Sequence, residues 1–160
     1  MKITPREIEA HLATLQSTPA VLSRVSSDLD DVRLRQRPQP GQWSLIELLA
    51  HLSACAEIWG DDIQEMLSCD IPTLTKPHPR GVMNEARFRE RSFEGLLASF
   101  AALRDELLRV IVPLESAQWA RSSMINRRPH TVFSQVRRMA LHEASHYDQL
   151  HAIRSAITAK

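Results

Sequence analysis

Two histidines in the C-terminal part of the chain have the spacing of a metal site. His142 and His146 are four residues apart in a segment whose apolar residues recur at helical intervals. At about 100° per residue, both fall on the helix face that Met139 and Leu150 mark as the side toward the core. Two imidazoles placed one turn apart can hold one divalent ion. The alternative is a pair of core histidines that each donate a hydrogen bond to a carbonyl.

A third ligand should come from a facing helix, and His51 is the candidate. The neighbouring apolar residues Leu48, Leu52, Cys55 and Trp59 lie about 40° to 100° round the helix from it, so His51 is at the rim of their stripe. A rim position suits a ligand in a cleft that solvent can reach. The remaining histidines are predicted to be surface residues: His11, His78, His130 and His151.

Residues 142–146 also match the HExxH pattern of zinc metalloproteases, in which the glutamate is the general base. The longer metzincin pattern needs a glycine and a third histidine where this chain has Gln149 and Ala152. A thermolysin-like site needs a glutamate well downstream, whereas the only acidic residue after the motif is Asp148. The sequence therefore argues against proteolysis, and we interpret Glu143 as a residue that flanks the site.

A three-histidine site would permit two kinds of chemistry. Three neutral imidazoles leave a zinc ion its full +2 charge and an open position, which can activate either a water or a thiol. Transfer of a thiol to an electrophilic small molecule needs few further groups. Hydrolysis calls for a general base, for which Glu47 and Glu143 are the nearest candidates. A non-catalytic module that binds a small ligand or a partner, with a structural or vestigial metal site, is the alternative.

Four amphipathic helices are predicted to position these residues, because apolar residues recur at spacings of three, four and seven in four separate stretches. The first helix starts at the Thr4–Glu7 capping box, and Pro19 is expected to break or kink it. The second starts at the Ser44–Glu47 capping box and runs to about Ser68. The third runs from Phe93 to Pro113, and the fourth covers about 27 residues from Val132. Strand alternation is not visible, so the predicted fold is an all-α four-helix bundle.

The connectors complete this prediction. Residues 70–91 contain three prolines and a glycine, which indicates a long crossover between helices two and three, with a turn of helix at Asn84–Arg89. Trp119 and Met124 lie in the connector that ends at Pro129. The length of 160 residues and a hydrophobic fraction of 43% fit one domain over residues 1–160.

The charge and the apolar pattern exclude several classes of protein. The formal net charge is +1, and the pairs Arg127-Arg128 and Arg137-Arg138 accompany no recognition motif, so a nucleic-acid partner is not expected. The apolar stretch from Leu45 to Trp59 is too short and too polar to span a membrane. Cys55 and Cys69 would lie about 21 Å apart on one helix and cannot pair. Unpaired thiols and the absence of a signal peptide indicate a cytoplasmic protein.

Two segments of the sequence resemble a known family. Pro40-Gly41-Gln42-Trp43-Ser44 leads into Glu47 and His51-Leu52, and residues 142–150 read His-Glu-Ala-Ser-His-Tyr-Asp-Gln-Leu. In order and spacing these features resemble the DinB/YfiT-like metal-binding four-helix bundles over nearly the whole chain. The resemblance implies that His51, His142 and His146 form the family's three-histidine site for a divalent metal, often nickel or zinc.

The same resemblance implies an activity and an assembly. Family members include thiol-dependent S-transferases and hydrolase-like enzymes, and many have no assigned activity, so a small-molecule substrate or a thiol cofactor is the expected partner. Bundles of this family often pair. A homodimer is therefore expected, with Trp119 or apolar outer helix positions supplying the interface.

Overall fold

Helix packing dominates the fold. The computed structural model describes residues 3–84 and 91–159. Its helices are α1 (Pro5–Ser26), α2 (Asp31–Arg35), α3 (Leu45–Ser68), α4 (Pro79–Val82), α5 (Phe93–Ile111), α6 (Ser116–Trp119), α7 (Val132–Ser145) and α8 (Tyr147–Thr158). Its strands are β1 (Thr73–Leu74), β2 (Ser122–Ile125) and β3 (Arg128–Thr131).

The long helices α1, α3, α5 and α7 form the predicted four-helix bundle, and α8 continues the line of α7. α1 and α3 each pack against both α5 and α7, so the four helices form a ring around a common core. Fully buried side chains such as Leu15, Leu48, Phe100 and Val136 come from all four helices. The long crossover lies between α3 and α5, as predicted. None of the described helices is long and apolar enough to cross a membrane.

Capping residues fix where the two best-predicted helices begin. Thr4 and Ser44 each accept a hydrogen bond from the backbone N–H three residues on, and the glutamates Glu7 and Glu47 reach back to the capping backbone. Both reciprocal caps satisfy backbone donors that have no partner inside the helix. The cap at Ser44 fixes the start of α3, two turns before His51.

Two predictions about helix continuity are wrong. α1 runs unbroken through Pro19. Proline removes one helix hydrogen bond, but burial of Leu15 and Leu22 on either side holds this segment in place. Conversely, the single fourth helix is interrupted at His146, whose φ is −93° and ψ is −6°. The His146 N–H donates to the carbonyl of Glu143 at 3.0 Å, a tighter turn than in an α-helix.

The structure also contains a small β-sheet that the sequence did not predict. β2 and β3 form an antiparallel hairpin, and β1 of the crossover pairs in parallel with β2, so the sheet joins the two predicted connectors. The hairpin turns at Asn126 and Arg127, whose φ values of 48° and 64° are those of a type I′ turn. The usual Asn-Gly signal for this turn is missing, and each strand has four residues or fewer. Pro129 is tolerated because β3 is an edge strand.

The predictions about the cysteines, the crossover and Trp119 have different outcomes. Cys55 and Cys69 are both free thiols. The turn of helix expected at Asn84–Arg89 falls, apart from Asn84, outside the described residues. Trp119 is only 3% exposed and its indole N–H donates to the carbonyl of Leu114, so it cannot supply a dimer interface. The homodimer itself stays a prediction, which sedimentation would check.

Candidate metal centre

The structure brings together the three histidines that the sequence singled out. His51 comes from the second turn of α3, His142 from the last turn of α7, and His146 from the junction of α7 and α8. The Nε2 atoms of His51 and His142 are 3.0 Å apart, and those of His142 and His146 are 3.2 Å apart. One ligand atom from each residue lies within 4.8 Å of the other two. The three imidazoles therefore point at one small volume.

The second nitrogen of His146 has a partner that fixes its proton. Its Nδ1 lies 2.7 Å from Oε1 of Gln149, one turn further along α8. An amide oxygen only accepts, so Nδ1 carries the hydrogen and Nε2 presents a lone pair to the other two histidines. Nδ1 of His51 and Nδ1 of His142 are buried and make no hydrogen bond to any described residue.

Burial keeps the two inner imidazoles neutral. The His51 side chain is buried between α3 and α7, and loss of hydration lowers its pKa to about 4, with a smaller electrostatic contribution from the neighbouring His146. Burial likewise lowers the pKa of His142 to about 4, followed by repulsion from His146 and His51. At neutral pH both rings are therefore uncharged, which is the state in which imidazole binds a metal.

The cluster opens into a cavity of about 1320 Å³ that reaches solvent. Trp43 and Trp59 form two of its walls, with ring centroids 4.9 Å from His51 and 5.0 Å from His142 respectively. The thiol of Cys55 also faces the cavity, and its Sγ is 3.8 Å from Nε2 of His51. Burial raises the pKa of this thiol to about 12, so it stays protonated.

Neither predicted general base belongs to the cavity. Glu143 is 2% exposed and pairs with Arg104 of α5 inside the core. Its position next to His142 turns it about 100° away from the histidine face. Glu47 is held by the Ser44 cap and by Arg37. The interpretation of Glu143 as a residue flanking the site is therefore wrong, because its partners lie on the other side of the helix.

Sequence reasoning missed several residues around the site. His78 is exposed as expected, yet it lines the cavity together with Arg80 and Arg138. The sequence indicates no role for Arg138, which is likewise exposed. Arg104 could have been found, because it follows Phe100 by four residues and therefore continues the apolar stripe of α5. A charged residue within such a stripe predicts a buried partner.

Comparison with known protein families identifies the family of this chain. A sequence model of the DinB superfamily matches residues 14–150. The chain belongs to the DinB superfamily. The matched range contains all three histidines as well as Gln149, and it covers the second half of α1 and all of α3, α5 and α7. No curated protein matches the chain at a significant level.

A solved structure agrees with the DinB superfamily fold. The chain is similar to YfiT from Bacillus subtilis with a TM-score of 0.85 and 15% sequence identity, and the alignment covers 95% of this chain and 88% of YfiT. YfiT is described as a probable metal-dependent hydrolase with an unusual four-helix bundle topology. At this identity the likeness establishes the shared fold.

Proposed function

We propose that this protein binds a divalent metal ion through His51, His142 and His146 and uses it as an enzyme acting on a small molecule. The spacing of the donor atoms carries the proposal. Zinc–nitrogen bonds of about 2.0–2.1 Å in tetrahedral geometry separate neighbouring nitrogens by roughly 3.3 Å. The observed separations of 3.0 and 3.2 Å are close to this value.

Hydrogen bonds among the three histidines explain their arrangement less well than a shared metal ion does. The His146 proton is on Nδ1, so its Nε2 has none to donate to His142. A shared cation accepts a lone pair from each of the three Nε2 atoms, and this removes the repulsion between them. The fit of the donor set to an ion is therefore better than its fit to three core histidines.

The cavity distinguishes a catalytic site from a purely structural one. Structural zinc sites are closed by four protein ligands, whereas catalytic sites keep a position for water or substrate. Here three nitrogen donors stand at the base of a cavity of about 1320 Å³, which has room for a small molecule. A divalent ion held there would retain its +2 charge and favour the deprotonated form of a water or thiol next to it.

Transfer of a thiol is the reaction that fits the cavity best. Among the described residues, no carboxylate lines it, and Glu47 and Glu143 are occupied elsewhere. Thiol transfer needs no carboxylate base. The sulfur attacks an electrophilic carbon, a carbon–sulfur bond forms, the leaving group departs with its electron pair, and the thiol proton passes to water.

Hydrolysis is the second candidate. The likeness of this chain to YfiT, which is described as a probable metal-dependent hydrolase, favours it. The imidazole of His78 lines the cavity and offers a nitrogen base in place of a carboxylate. Zinc and nickel both suit three imidazole donors, so elemental analysis of the purified protein is needed to name the ion.

An activity screen on metal-loaded and metal-free protein tests the proposal. The substrates are a small thiol with an activated aryl halide for transfer, and an activated ester for hydrolysis. We expect one ion per chain and turnover that disappears with a chelator and returns on reloading. His142→Ala should abolish both, whereas His151→Ala, an exposed residue of α8, should change neither. Stoichiometric metal without turnover would favour the non-catalytic binding module, and absence of metal binding would overturn the proposal.

A further inference from the structure

The charged side chains that line the cavity all carry positive charge. Arg80 and Arg138 line it, and none of the described lining residues is an aspartate or a glutamate. A cleft lined by charges of one sign concentrates ligands of the opposite sign.

The two arginines flank the histidines in matching ways. The guanidinium of Arg80 lies over the ring of Trp43 at 5.8 Å, and Trp43 in turn contacts His51. On the other side, the guanidinium of Arg138 lies over the ring of Trp59 at 4.4 Å, and Trp59 contacts His142. Each wall of the cavity therefore carries a cation supported by an aromatic ring.

Neither guanidinium is neutralised within the described residues. Arg80 and Arg138 form no side-chain hydrogen bond or ion pair there, whereas Arg35, Arg37, Arg104 and Arg121 each pair with a carboxylate. A ring that covers the face of a guanidinium leaves the N–H groups at its edge free to donate. Those N–H groups match the two oxygens of a carboxylate or a phosphate.

We propose that the cavity binds an anionic small molecule, whose carboxylate or phosphate groups are held by Arg80 and Arg138 on the two sides of the histidine cluster. As a statement about the substrate of a metal-dependent enzyme, this assignment rests on the proposed function. The anion site itself consists of arginine side chains, so it is measurable in metal-free protein.

Binding of three small probes to metal-free protein tests this assignment. Succinate presents carboxylates, inorganic phosphate presents a phosphate, and succinamide is the uncharged counterpart of succinate. Calorimetry at one fixed ionic strength should show that at least one anion binds and that succinamide does not. Comparison of succinate with phosphate then identifies the group that the arginines prefer. Failure of both anions to bind, or equal binding of succinamide, would overturn the assignment.

Matched arginine variants locate the site. Arg80→Gln and Arg138→Gln should each weaken anion binding about ten- to hundredfold, since each removes charge-assisted hydrogen bonds. Arg137→Gln removes the same charge from the neighbouring position of α7, which is exposed and does not line the cavity, and should leave the affinity unchanged. An equal loss in all three variants would show that only net charge matters and would overturn the assignment.

Metal titration of the same proteins separates this inference from the proposed function. Wild type and all three arginine variants should bind one ion with similar affinity, because the arginines are not ligands. If wild type binds the anion but no metal, the proposed function fails and the anion site stands. If it binds metal and the arginine substitutions leave anion affinity unchanged, the proposed function stands and the anion site fails.

Discussion

His142 and Glu143 are consecutive residues of α7, yet they face two regions that differ in solvent access and in charge. His142 belongs to the histidine cavity, where imidazole nitrogens converge and solvent has access. Glu143 belongs to the buried ion pair with Arg104, where both side chains are at most 2% exposed. In the first region the side chain of His142 is an uncharged imidazole next to solvent, whereas in the second a buried carboxylate and a buried guanidinium form an ion pair.

The difference explains why the HExxH pattern is misleading here. A metalloprotease needs its glutamate beside the metal. In this bundle the same spacing sends Glu143 toward α5, because neighbouring helix positions diverge by about 100°. The glutamate contributes to the core that holds α7 in place, and the histidines on the adjoining face are left to the cavity. One turn of α7 thus contributes one side chain to the core of the bundle and another to the cavity.

Disruption of the ion pair should produce the largest effect. Arg104→Met leaves the Glu143 carboxylate buried without its cation, and loss of one partner of a buried pair costs about 3–5 kcal/mol. That is a large part of the roughly 5–15 kcal/mol that stabilises a typical protein. Urea denaturation followed by circular dichroism should show this loss in the free energy of unfolding. A change below about 1 kcal/mol would mean that the pair is not a structural element.

The double variant Arg104→Met/Glu143→Leu is the control for that experiment. It removes both charges and fills the space with apolar atoms, so it should recover most of the lost stability. Its metal stoichiometry should equal that of wild type, because neither residue lines the cavity. Loss of metal binding in the well-folded double variant would show that the two regions are coupled.

Removal of a proposed ligand should have the next largest effect. His146→Ala should leave the helical content intact and abolish the stabilisation that the ion provides, about 2.7 kcal/mol when free metal is a hundredfold above the dissociation constant. The measurement is the melting temperature with and without the ion. His151→Ala is the matched control, since this exposed residue lies five positions further along. Equal metal-dependent stabilisation of both variants would contradict the assignment.

Much of the fold and the three histidines could be predicted because both depend on helical periodicity. The position of His142 and His146 on the core face follows from their spacing to Met139 and Leu150, and the Ser44 cap fixes where α3 begins. Whether His51 meets these two histidines depends on how α3 packs against α7. The helical positions of the three residues are consistent with such a meeting, but the sequence supported it only through the position of His51 at the rim of an apolar stripe and through a family resemblance.

The missed features depend on contacts between distant segments. The pairing of β1 with β2 joins two connectors about 50 residues apart, and two residues give no periodic signal. The ion pair needs Arg104 and Glu143 from different helices. Arg80 reaches the cavity because the crossover folds back beside Trp43, and the composition of the crossover does not reveal where it lies. Local sequence patterns therefore predict the helices, whereas the residues that line the cavity can be identified only from the folded structure.

A smaller effect is expected at Gln149, which contacts the proposed ligand His146 and does not itself belong to the proposed ligand set. Gln149→Leu removes the acceptor for Nδ1–H of His146, so the ring is no longer held in the tautomer that presents Nε2. Loss of such a supporting hydrogen bond typically weakens metal affinity about 10- to 100-fold. Gln149→Glu keeps an acceptor oxygen and should retain binding. If competition titration gives the leucine variant wild-type affinity, the orienting role is wrong.

The last prediction concerns the stability of the metal-free protein in acid. The pKa values of His51 and His142 in the folded protein are lowered to about 4, while an unfolded histidine titrates near 6.5. Between these values the unfolded chain binds more protons than the folded one, so the stability of metal-free protein is complete above about pH 6.5 and falls as the pH drops toward 4. The melting temperature should decline over this window. In His142→Gln the decline should be shallower.

Asp62 acts in the opposite direction and offsets part of the effect of the two histidines. This residue of α3 is 1% exposed, and burial raises its pKa to about 6 despite Lys76 at 3.9 Å. Its contribution is complete below the unfolded value of about 3.8 and is lost as the pH rises through 6, so acidification stabilises the protein at this position. Asp62→Asn should therefore raise stability at pH 7.5 and steepen the acid-induced decline that the histidines cause. A parallel decline in wild type, His142→Gln and Asp62→Asn would mean that neither the cavity nor Asp62 governs the response to acid.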